Sequence, residues 1–141
     1  MREIIFRGQT RRLGEKVWMN GEKVLSNWAY GGICQGKGDF SIIYGGLDVE
    51  RENPIEKFVV YTDTVGQYTG LTDKNGKKIF EGDICKHRSS FSGEYIISVV
   101  TYTDGQFLAM ADENSGFNLS NKLEIIGNIH DNPELLKDGA V

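Results

Sequence analysis

Cys85 and His87 carry the side chains of a nucleophile and its base, or of two metal ligands. At i and i+2 of an extended run they share one face. A structural zinc site wants four ligands with paired short spacings, so Cys34 and His130 would have to complete it from distant positions. A thiol nucleophile would need a local signature that this segment lacks. The pair therefore reads as a packed cysteine beside a surface histidine. The run Gly31-Gly32-Ile33-Cys34-Gln35-Gly36-Lys37-Gly38 has phosphate-loop spacing as far as its lysine. Gly38 then stands where a hydroxyl should hold Mg²⁺, and Asp39 to Ile43 reads as strand where a helix is needed. The expectation is an absence of catalytic residues, metal site and cofactor.

Basic residues near aromatics offer a different chemistry. Lys74, Lys77 and Lys78 lie beside Tyr68 and Phe80, and Arg7, Arg11 and Arg12 lie in the N-terminal part. Small barrels hold single-stranded nucleic acid with such basic grooves and stacking rings. Asp73, Glu81 and Asp83 flank the lysines and weaken the local field, so a solvated hairpin tip is the plainer reading. Asp73, Asp83, Asp104, Asp112 and Glu113 are turn residues, since Asp hydrogen-bonds backbone two residues on. Asp83, between Gly82 and an apolar strand, should accept amide hydrogens across its turn.

The elements positioning these residues are strands. Val65 to Ile84 reads strand, turn, strand, turn, strand, with Asn75-Gly76 as a tight turn at positive φ. Before it come Arg2–Gly8, with Ile4 and Phe6 on one face, and a hairpin of Glu15–Met19 and Glu22–Leu25 across Asn20-Gly21. Trp28–Cys34, Phe40–Tyr44 and Phe58–Tyr61 follow, with 47–56 as loop. After it come Glu94–Thr103 (Ile96, Val99 and Tyr102 toward the core), an Asp104-Gly105 turn, Gln106–Ala111, Phe117–Leu119 and Glu124–Ile129. The tail is one short helix with Asn132 as its cap, Pro133 at its first position, and Leu135 and Leu136 docking it.

Eighteen glycines and two prolines in 141 residues suit many tight turns, because each interior glycine costs a helix about 1 kcal/mol. The net charge of −4 gives no overall pull toward nucleic acid. It is uneven, however: residues 1–40 carry seven basic and four acidic side chains, and the remainder nine and sixteen. No apolar run reaches a membrane span, and two cysteines make no disulfide framework. Both thiols are expected unpaired and buried, in a reducing cytoplasm.

Three blocks resemble the YopX family of phage and prophage proteins: Met1-Arg2-Glu3-Ile4-Ile5-Phe6-Arg7, Thr64 to Ile84, and Glu124 to Leu136. The resemblance implies a mostly β protein with a small SH3-like barrel and no established activity. The fold predicted is all-β and mainly antiparallel: an N-terminal β region over 1–64, an SH3-like barrel over 65–141 and one short C-terminal helix, or one continuous YopX-like domain over 1–141. The function predicted is non-enzymatic, in the cytoplasm of the bacterial host and away from membranes. It is docking on a host or phage protein or self-assembly into a homo-oligomer, ahead of a nucleic-acid-binding module and, after that, an unrecognised hydrolase.

Overall fold

The computed structural model describes residues 3–12, 14–19, 22–46 and 55–136. They are mostly antiparallel strand, with two short 3₁₀ turns at Thr62–Thr64 and Pro133–Leu136. The chain forms two compact units, Met1–Gln67 and Tyr68–Val141.

In the first unit, β1 (Phe6–Gln9) pairs with β4 (Trp28–Cys34), β4 with β5 (Phe40–Gly45), and β5 with β6 (Glu56–Tyr61). A separate hairpin joins β2 (Glu15–Met19) to β3 (Glu22–Ser26), as the alternating pattern predicts; its Asn20-Gly21 turn lies outside the described residues, as does 47–54 of the expected loop. Thr10 bridges Val60, and the Arg11 amide donates to the Val59 carbonyl at 2.9 Å, so the far strand is tied back to the end of β1. The backbones come close there: a Cβ on Gly8 would stand 2.8 Å from the Val60 side chain. Val17, Ala29, Ile43, Phe58 and Val60 form the core beneath these strands. Ile4 precedes β1 and is exposed, so it does not share a buried face with Phe6. Cys34 is also exposed, contrary to expectation, because it stands at the very end of β4.

β7 (Gly66–Thr72) pairs with β1 through Gly66 and Gln67. In the second unit its remainder pairs with β8 (Lys78–Phe80). A five-stranded sheet follows, ordered β12 (Gly116–Asn118), β11 (Gln106–Met110), β10 (Tyr95–Thr103), β9 (Asp83–Arg88), β13 (Glu124–Asn128). Ile79, Cys85, Val100, Ala109 and Leu123 form its core. No sheet closes on itself among the described residues, so strand pairing alone does not build the SH3-like barrel expected over 65–141.

Turn chemistry explains which local expectations hold. Asp104 and Gly105 take φ of 50° and 79° and join Thr103 directly to Gln106, as a two-residue turn of this hand demands. At Asn75-Gly76 only the glycine has positive φ. In β10, Ile96 is half-buried and Val99 buried, but Tyr102 is exposed and Val100 holds the core position. The tail helix is a single 3₁₀ turn with no buried residue. The Asn132 side chain accepts from the Asn128 amide behind it rather than capping the turn ahead, and Leu135 is exposed.

Candidate functional site

Register makes the end of the β9–β10 hairpin project. β13 leaves β9 at the Glu124–Lys86 pair, and β11 leaves β10 at Met110–Val99. The hairpin itself continues to Arg88–Tyr95 and turns through 89–94. Among the described residues its last pairs have no neighbouring strand, and each residue beyond them adds a rise of about 3.3 Å.

The turn Ser89-Ser90-Phe91-Ser92-Gly93-Glu94 holds itself. The Ser89 amide donates to the Glu94 carbonyl at 2.8 Å, and the Gly93 amide to the Ser89 carbonyl at 3.0 Å. The Ser89 Oγ accepts from the Phe91 amide at 3.2 Å, and the Ser92 Oγ from the Glu94 amide at 3.3 Å. On this frame Phe91 is fully exposed, with relative exposure of 101%. Tyr95, 57% exposed, stands behind it. Two cations lie on its ring, Lys86 Nζ at 4.8 Å and Arg88 Cζ at 5.3 Å from the centroid. Glu124 is 3.9 Å from Lys86 and 2.9 Å from Lys74. Its hydrogen bond to Lys74 holds its carboxyl below the usual carboxylate range.

A second concave feature lies in the first unit. Phe40 and Tyr61 face each other across the β5–β6 register with ring centroids 5.4 Å apart, both partly exposed. With Gly38, Asp39, Thr62 and Asp63 they line an open cleft of about 390 Å³. Its floor is fixed: the Thr62 amide donates to the Asp39 carbonyl at 2.8 Å, and the Ser41 and Thr62 hydroxyls lie 2.8 Å apart. The Arg11 guanidinium lies over the Phe40 ring, 5.8 Å from its centroid.

Neither group of cations proposed for nucleic acid forms a free basic patch within its own unit. Arg7 is only 7% exposed, with its guanidinium 4.9 Å over Trp28, so it is no surface contact. Arg11 stacks on Phe40 and Arg12 is exposed. Lys74 pairs with Glu124, Lys78 lies 5.7 Å over Tyr68, and Lys77 is exposed while its amide donates to Asp73. Lys86, Arg88, Phe91, Tyr95 and the Phe40–Tyr61 pair were missed. Their one visible signal is composition: Phe91 is an aromatic alone among serines and a glycine, where a turn needs none.

Cys85 and His87 do not make a reactive pair. Burial drives the Cys85 thiol up to about 12, with Asp83 and Asp73 adding to the rise, so it stays protonated at neutral pH. The His87 ring meets the Phe117 edge with centroids 4.7 Å apart. Among the described residues no group of three or more His, Cys, Asp or Glu could hold a metal, and no helix is long and apolar enough to cross a membrane.

The YopX protein family model matches residues 15–137. The chain belongs to the YopX family. In fold it is similar to the crystal structure of protein EF1440 from Enterococcus faecalis, at a TM-score of 0.53 and 24% identity over 97% of this chain and 100% of that one. No curated protein matches it. The match bears out the YopX kinship and includes two of the three sequence blocks, Thr64 to Ile84 and Glu124 to Leu136, while Met1 to Arg7 lies outside it.

Proposed function

We propose that this YopX protein is a non-enzymatic interaction module that docks on another protein through the tip of the β9–β10 hairpin. The observation that carries this is Phe91, wholly in water on a turn that holds its own shape. A large apolar side chain gains nothing for folding in that position, whereas aromatic and arginine anchors dominate binding energies at interfaces. The rigid turn limits the ordering entropy lost on association. Arg88 and Lys86 beside Tyr95 add the charged rim such an anchor uses. The family's phage and prophage kinship supports a role in the cytoplasm of a bacterial host.

The same aromatic and basic side chains favour a second reading, stacking on single-stranded nucleic acid. Two cations on a single strand would give a shallow salt dependence, with a slope of log K against log salt of about −1.4. The tagged chain and its Phe91→Ser variant, each passed over bacterial lysate with and without nuclease treatment, separate the two. Docking predicts a protein retained by the parent chain and lost from the variant. Retention that ignores Phe91 would overturn it, and retention abolished by nuclease would put nucleic acid in its place.

A further inference from the structure

The hairpin tip and the first-unit cleft are complementary in kind. The tip is an aromatic knob with Lys86 and Arg88 behind it, on a unit that otherwise leans acidic, with seven basic against eleven acidic residues. The cleft is walled by Phe40 and Tyr61 and lined also by Asp39 and Asp63. Its volume of about 390 Å³ is in the range of ligand-binding clefts, which begin near 300 Å³, and leaves room for one aromatic ring. Arg11 over Phe40 shows that one wall already accepts a guanidinium on its face.

Resting on the reading of Phe91 as a docking residue, we infer that the occupant of the cleft is Phe91 of a second copy of this chain. Its ring packs onto the exposed edges of Phe40 and Tyr61, which already touch each other with centroids 5.4 Å apart, while Arg88 and Lys86 meet Asp63 and Asp39. The contact joins two different patches, so it is heterologous and either closes into a ring or propagates. One aromatic anchor with a charged rim is a small interface, so a dissociation constant of roughly 10–100 μM is expected, rising with salt.

Two surface variants test this by complementation. Phe91→Ser removes the knob and keeps the cleft; Asp39→Lys with Asp63→Lys spoils the cleft and keeps the knob. All the substituted side chains are exposed, and circular dichroism checks that each variant is folded. By sedimentation velocity at about 100 μM, the parent chain should exceed one chain in mass and each variant should remain a single chain. Mixed one to one, the variants should form a two-chain species and nothing larger, since only one knob and one cleft remain to meet. Assembly by either variant alone, or a mixture that stays monomeric while the parent chain assembles, would overturn the pairing. A parent chain that stays monomeric while Phe91→Ser still loses its captured protein would overturn the pairing but leave the docking reading standing.

Discussion

Two loops of the second unit, each joining neighbouring strands, are built in opposite ways. The β7–β8 loop is organised by Asp73, a buried carboxylate. Its Oδ1 accepts from the amides of Asn75 and Lys77, both at 2.9 Å, and its Oδ2 accepts from the Ile125 amide at 3.1 Å, across 52 residues. The β9–β10 loop uses its own serines and backbone, and among the described residues neither core cluster includes it. The first loop ties the fold together and is therefore unfree to vary. The second is coupled to little beyond itself, so its side chains are available for a partner. Function tends to sit in such weakly coupled loops on a rigid scaffold.

Substitutions should separate the two loops sharply. Asp73→Ala removes a charged acceptor from three amides, one of them near the start of the last strand, and breaks three part-buried hydrogen bonds around a buried site. Charge-assisted hydrogen bonds contribute about 1.5–3 kcal/mol each and are not additive, so a loss of roughly 3–5 kcal/mol is expected by denaturant unfolding. Gly8→Ala, in the first unit, which forces a methyl to within 2.8 Å of the Val60 side chain, should cost about 1–3 kcal/mol by overpacking. Acid should expose the Asp73 clamp as well. Burial alone would raise its pKa, but the amides of Ile125, Lys77 and Asn75 and the Lys77 charge prevail and lower it below its ordinary 3.8. A depressed folded pKa means that the stabilisation is present above the ordinary value and fades as pH falls through the folded one. The stability of the parent chain should therefore drop steeply below about pH 4, and that of Asp73→Asn should drop less. Phe91→Ser should change stability least, within about 0.5 kcal/mol, while abolishing docking.

Much of the strand framework was legible because period-2 alternation and turn chemistry are local. The Glu15–Met19 and Glu22–Ser26 hairpin and the Asp104-Gly105 turn depend on few residues outside themselves. The Asn75 turn misled for the opposite reason: a carboxylate two residues upstream captures its amides and shapes a longer loop. The tail helix was readable as far as its start at Pro133, but it is one 3₁₀ turn, and its expected cap Asn132 turns its side chain back to Asn128. Asp83 was readable, accepting from the Phe80 amide at 2.8 Å within its own turn. The candidate site was hardly legible. Pairing Phe40 with Tyr61 needs the register of two strands separated by a long connection, and the projection of Phe91 needs to know where β11 and β13 stop.

Fluorine NMR of the chain carrying 4-fluorophenylalanine at position 91 tests the central claim most directly, because it observes the proposed anchor itself. Diluted, the label should give one sharp signal at the shift of a solvated ring. Raising the concentration of the chain, or adding the captured protein, should move and broaden that signal as the ring becomes enclosed. A signal that stays sharp and unmoved in both titrations, while the captured protein still binds, would contradict the account.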